Sequence, residues 1–168
     1  MSQAIVCRRA CIEDLERILA IESQSFRDDA FSRRQFRYLM QHAKGAFFVA
    51  VVSGIVAGYI SVLVRSNRIG RIYSLAVDRD CRGKGVAKLL IDAAVDFMRA
   101  QCIQRIFLEV AVDDVAAISL YEKKHFIKRS IKPGYYYSGA DAYSMMCVIP
   151  QCSAATAMDT ATSITCRR

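Results

Sequence analysis

The chain has 168 residues, 54% of them hydrophobic, with 24 Lys and Arg against 16 Asp and Glu for a net charge of +8. That length and composition lead us to expect one domain with a sizeable core. The longest nearly unbroken apolar run, Ile55 to Val64, contains Gly58 and Ser61 and is far too short to span a bilayer. The N-terminus lacks the basic, apolar, small-residue order of a signal peptide, so a soluble, cytoplasmic protein away from membranes is expected. The positive charge suits anionic cofactors, acidic peptides or nucleic acid without choosing among them. Its one cluster, Arg33, Arg34 and Arg37, carries no recognition-helix or RNA-binding signature; a solvated helix face is expected there, and no direct nucleic-acid contact. The seven cysteines form no Cys-x-x-Cys pair, and Cys7 and Cys11 lack histidine partners, His42 and His125 being the only two. Reduced structural thiols are expected, and no metal site.

Ile5 to Ala10 reads as a first strand. Glu13 to Ser25 carries Leu15, Ile18, Leu19 and Ile21 as a helical stripe. The segment Phe26-Arg27-Asp28-Asp29-Ala30-Phe31 is a loop that either lines a substrate entrance or simply joins two helices. Ser32 suits the N-cap of a second helix whose apolar side is Phe36, Leu39 and Met40. Ala46 to Val52 and Ile55 to Val64, joined by Ser53-Gly54, read as a hairpin, and Arg71 to Val77 as the next strand.

That strand enters Asp78-Arg79-Asp80-Cys81-Arg82-Gly83-Lys84-Gly85, after which a helix from Val86 to about Gln101 exposes only the stripe Lys88, Asp92, Asp96 and Arg99. A strand, a glycine turn and a helix start form an anion site, because the first-turn N–H groups are unpaired and the dipole is positive there. A basic surface turn is the alternative. The spacing is neither that of a Walker loop nor that of a Rossmann fingerprint.

Arg105 to Val110 is a further strand, and Asp114 can cap a helix from Val115 to Lys124. Phe126 to Tyr135 and Ala142 to Val148 read as a closing pair of strands. After Pro150 the residues turn small and polar with little periodicity, so the domain is placed at 1–149 and the tail at 150–168 is expected to be largely disordered. The order is β-α-α-β-β-β-α-β-α-β-β, an α/β layer structure.

Within the strand, Ile106, Leu108 and Val110 share one face and Phe107, Glu109 and Ala111 the other. A carboxylate in an otherwise apolar strand is uncommon. Desolvation would raise its pKa from about 4.3 towards the range where a general base works best. The alternative is a strand-end Glu paired with a neighbouring cation. Tyr121, on the following helix, reads by itself as a core residue with a wet hydroxyl.

Arg82-Gly83-Lys84-Gly85-Val86-Ala87 resembles the pyrophosphate signature of the GNAT N-acetyltransferases, Gln/Arg-x-x-Gly-x-Gly/Ala. Leu108-Glu109-Val110 followed by Ala116-Ala117-Ile118-Ser119-Leu120-Tyr121-Glu122 is similar to the RimI-like ribosomal-protein alanine N-acetyltransferases of that family. The resemblance covers about residues 4–149. It implies the GNAT fold, a central mixed, mostly antiparallel sheet flanked by helices, and acetyl-CoA as cofactor. It also implies a protein or peptide N-terminus as substrate, ribosomal proteins among them. By the same resemblance Glu109 is the general base and Tyr121 the acid that protonates the departing CoA sulfur, with direct transfer and no acyl-enzyme. Leu75, Ala76, Val77, Arg82, Gly83, Lys84, Gly85, Val86, Ala87 and Asp114 fall at the cofactor, and Tyr135, Tyr136, Tyr137 and Asp28 on the substrate side.

An α-amine, with a pKa of about 7.7–8.0, is easier to deprotonate than a lysine near 10.4 by roughly 3–4 kcal/mol, which suits a modest base. Three residues depart from the pattern. Asp114 replaces an Asn and cannot donate a hydrogen bond. Ala111 replaces an Arg, and His125 stands where the helix would end on Gly. Two rivals remain: the same fold acetylating a small amine, and a non-catalytic acyl-CoA-binding or nucleic-acid-associated module.

Overall fold

The structure, a computed structural model, describes residues 4–65 and 68–150; most of the tail expected at 150–168 lies outside the described residues. The elements in chain order are β1 (Ile5–Arg9), α1 (Leu15–Phe26), α2 (Arg33–Gln41), β2 (Gly45–Val52), β3 (Ile55–Arg65) and β4 (Ile69–Val77). They continue with α3 (Val86–Ala100), β5 (Arg105–Ala111), α4 (Val115–Lys123), β6 (Ile127–Lys132) and β7 (Ala142–Val148). This is the alternation read from the sequence, with ends moved by a few residues and short 3-10 turns added at 12–14, 27–29 and 79–81.

The strands form one sheet in the order β1-β2-β3-β4-β5-β7-β6. Its pairs are antiparallel except β4 with β5. The last two strands therefore exchange places relative to the chain. The mostly buried β7 sits between two partners, while β6, Ile-Lys-Arg-Ser-Ile-Lys, takes the edge, where charged side chains meet water and deter further pairing.

Both faces of the sheet are covered, which is why β3 is buried from Val56 to Val62 without alternation. On one face, Leu15, Ile18 and Ile21 of α1 and Phe36 of α2 pack on Phe47, Val49 and Tyr59. On the other, Leu90, Ile91 and Met98 of α3 and Ile118 of α4 pack on Ile60, Ile72, Ile106 and Leu108. The Ser32 hydroxyl accepts from Gln35 N–H and the Gln35 side chain accepts from Ser32 N–H, a reciprocal cap for α2. Asp114 caps α4 by accepting from Ala117 N–H at 3.0 Å.

One irregularity positions the site. The β3–β4 register jumps from Ser61 opposite Ser74 to Val62 opposite Ile72, leaving Tyr73 as an extra residue. Such a bulge bends its strand. Accordingly β4 pairs with β5 only from Ile69 to Arg71, opposite Arg105 to Phe107, and then diverges. Beyond Arg71 the β5 side of β4 carries no ladder, and a gap opens between the two strands.

Candidate active site

The gap holds two adjoining clefts. The first, about 690 Å³, lies between the end of β4 and the starts of α3 and α4, and is lined by Leu75, Ala76, Val77, Arg82, Gly83, Gly85, Val86, Ala87 and Asp114. Gly83 (φ +73°) and Gly85 (φ +85°) are left-handed, and a Cβ at either would meet no atom within 4 Å. The turn therefore needs glycine for its backbone conformation, not only to let a ligand approach. Gly85 is the N-cap of α3 and supplies no side-chain cap, so the first N–H groups of a 15-residue helix remain directed at the cleft. Asp78 fixes the start of the turn: its carboxylate accepts from Asp80 N–H at 2.9 Å and pairs with Arg17 of α1.

The second cleft, about 400 Å³, runs between β4 and β5 under the α1–α2 and β6–β7 connectors. Glu109, Tyr121, Tyr135 and Tyr136 line it, and Tyr121 lines the first cleft as well. The two spaces thus meet at the phenol. Ser25 also lines both, and its hydroxyl is buried without a partner among the described residues. Phe31 stacks on Tyr73, centroids 4.8 Å apart, as one wall. The roof is tied where Tyr137 N–H donates to Asp29 Oδ1 at 2.7 Å.

Glu109 lies mid-strand, opposite Ser144 of β7, with 7% of its side chain exposed. Both its oxygens are taken: Arg71 Nη2 lies 2.5 Å from Oε2 and Lys132 Nζ 2.5 Å from Oε1. The carboxylate is thus both withdrawn from water and paired with two cations, mid-strand and not at a frayed end. Burial, then the charge of Asp114, then Tyr136 push the Tyr121 phenol well above its ordinary pKa, so it stays protonated at neutral pH. Tyr136 is pushed up to about 12, chiefly by burial.

The sequence reading missed Glu22. It is fully buried in the wall of the second cleft, accepting from Phe31 N–H at 2.9 Å, from the Tyr59 hydroxyl and from the Ser74 hydroxyl at 3.4 Å. Burial raises its pKa, against the three donors. The available signal was its place on the apolar stripe of α1, four residues after Ile18 and seven after Leu15. Arg71 and Lys132 were missed too. Their meeting with Glu109 depends on the β4–β5 and β6–β7–β5 registers, which no local pattern encodes.

Three residues assigned to the site fall outside both clefts. Lys84 is exposed on the outer side of the glycine turn, Asp28 is exposed while its neighbour Asp29 lines the cleft, and Tyr137 is 85% exposed, contributing only its N–H. The other assigned residues are brought together.

Residues 12–126 match the acetyltransferase (GNAT) family. The chain belongs to this family. It is 34% identical over 153 residues to an N-alpha-acetyltransferase of Saccharolobus solfataricus, covering 82% of this chain and 89% of the relative. It is 29% identical to the N-alpha-acetyltransferase RimI of Mycobacterium tuberculosis, over 79% of this chain and 85% of that one. Among solved structures, a chain of the NatC complex bound to Gag peptide and CoA superposes with a TM-score of 0.79 at 26% identity, covering 87% of this chain and 99% of that chain. The protein is therefore an acyltransferase using acetyl-CoA, and its relatives include N-alpha-acetyltransferases. The residues present fit that cofactor: a left-handed glycine turn at a bare helix start, an unladdered β4 edge and an orphaned Ser25 hydroxyl. No helix among the described residues is long and apolar enough to cross a membrane.

Proposed function

We propose that this protein acetylates the N-terminal α-amine of a protein or peptide in the cytoplasm, residues 1–149 being the acetyltransferase domain and ribosomal-protein N-termini among its acceptors. Bound acetyl-CoA supplies an activated acetyl thioester. The amides from Arg82 to Ala87 hold its pyrophosphate at the start of α3, and the free edge from Leu75 to Val77 orients its arm. Asp114 shapes the α4 side of that cleft. Glu109 takes the proton from the acceptor's ammonium, directly or through water. Tyr121, kept protonated by burial, gives its proton to the leaving thiolate. Tyr135 and Tyr136 flank the incoming peptide.

The observation that carries this reading is the convergence of Glu109 and Tyr121 on one cleft, with Tyr121 shared by the cleft beside the glycine turn. Similarity to N-alpha-acetyltransferases supports an α-amine as acceptor. The test is release of free CoA from acetyl-CoA in the presence of a broad panel of N-terminal peptides, with polyamines and amino acids as competitors. Turnover on peptides is expected, with Glu109→Gln and Tyr121→Phe each lowering kcat by about 100-fold or more. Silence across the panel, or preference for the small amines, overturns it.

A further inference from the structure

Each oxygen of Glu109 already carries a cation, so an incoming ammonium can take the place beside Oε1 or Oε2 only when the cation there moves aside. The two are held unequally. Arg71 has 22% of its side chain exposed, also donates from Nη2 to the Tyr135 hydroxyl at 2.9 Å, and lies 5.8 Å from the Tyr73 ring centre. Lys132 sits on the edge strand with 42% of its side chain exposed; among the described residues its ammonium otherwise faces only the Tyr135 ring, at 5.3 Å. Its flexible stem can swing the charge into water at little cost.

We infer that Lys132 is a displaceable counter-ion, holding on Glu109 the position that the ammonium of the acceptor takes over. An α-ammonium and a lysine ammonium are the same donor, three N–H bonds on a compact charge. When the acceptor arrives, Lys132 retreats to solvent and Arg71 stays to orient the carboxylate. The incoming ammonium then gives its proton to the vacated Oε1, leaving a neutral amine and a carboxylic acid. The retreat of Lys132 removes one of the two positive charges beside the carboxylate as that proton arrives. Lys132 is thus a positioning residue that sets acceptor affinity. The other titratable groups along this cleft are Glu22 and Asp29 from the α1 side, Tyr73 of β4, Asp113 and Asp114 after β5, Tyr121 of α4, and Tyr135 and Tyr136 after β6. Among the described ion pairs, only Arg71 and Lys132 contact the carboxylate.

The inference rests on Glu109 as the base, and the variants separate the two. Lys132→Met keeps the apolar stem and removes the charge; Lys132→Arg keeps the charge. The best acceptor from the panel, peptide or small amine, is titrated at fixed acetyl-CoA, and its binding to cofactor-free protein is measured by calorimetry. In Lys132→Met, acceptor KM and Kd should fall about two- to fivefold, the worth of one half-exposed ion pair. The KM for acetyl-CoA should not change, and the acid limb of kcat/KM should move to higher pH. Lys132→Arg should behave as wild type on all four readouts. If Lys132→Met leaves acceptor KM, Kd and the acid limb unchanged, or weakens binding, the inference is overturned while the Glu109 assignment stands. An active Glu109→Gln overturns both.

Discussion

Glu22 gives the sharpest test of how the second cleft is held. Its carboxylate joins three elements by accepting from Phe31 N–H, the Tyr59 hydroxyl and, weakly, the Ser74 hydroxyl. In Glu22→Ala the Tyr59 hydroxyl keeps Ser74 at 2.8 Å, but Phe31 N–H loses its acceptor and a void opens. One orphaned, half-buried donor costs about 1 kcal/mol and the lost packing of a fully buried side chain adds to it, so about 2–3 kcal/mol is expected in urea unfolding at pH 7. Glu22→Gln retains one carbonyl oxygen and should cost about 1 kcal/mol. The pH dependence separates charge from packing. Burial raises the folded-state pKa of Glu22, so the native protein binds this proton more tightly than the unfolded chain. The resulting stability is full below the unfolded pKa, about 4.5, and is lost as pH rises through the raised folded value. The wild-type advantage over Glu22→Gln should therefore shrink as pH rises above about 4.5. Releasing Phe31 also frees its ring from Tyr73, so acceptor KM should rise in Glu22→Ala with acetyl-CoA KM unchanged. A stability gap flat with pH, or acceptor and cofactor KM rising together, refutes the reasoning.

The phosphate turn, the N-terminal ion pair and the end of α4 offer three further tests. Gly85→Ala forces an alanine to φ +85°, at about 1–2 kcal/mol, and should raise the Kd for acetyl-CoA by roughly tenfold, read by calorimetry. The Arg8 guanidinium, with Cys11 N–H, holds Asp14 at about 2, below the usual carboxylate range. Asp14→Asn should then cost up to about 2 kcal/mol at pH 7; because the folded pKa is depressed, that difference is present above about pH 4 and disappears as pH falls to about 2. His125 ends α4 at φ +64° and is exposed, so His125→Gly should raise stability by about 1 kcal/mol in chemical unfolding.

Local chemistry made most of the framework readable in advance. Ser32 three residues before Gln35, Asp114 before an apolar helical stripe, and the alternation of Ile106, Leu108 and Val110 each report their own surroundings, and each stands where it was expected. What escaped was set by partners far along the chain. The exchange of β6 and β7 and the pairing of Arg71 with Glu109 are decided by which strands adjoin, across tens of residues, and the extra residue at Tyr73 by the register of β3 on β4. Asp28 and Asp29 show the limit most plainly: two identical side chains in one loop, of which a short 3-10 turn sends only the second into the cleft.

The two clefts also differ in what holds them. The walls of the first are regular elements, β4 locked to β3 and α3 packed through Leu90, Ile91 and Met98, with the turn fixed at Asp78. The second is roofed by two connectors joined through the Asp29–Tyr137 hydrogen bond, which is exposed and so worth about 1 kcal/mol. A pre-formed site and a site roofed by two connectors should not respond alike to their ligands. The first cleft should bind its ligand with little ordering cost, while the second should order further when occupied. That division suits a transferase whose first ligand is constant and whose second varies.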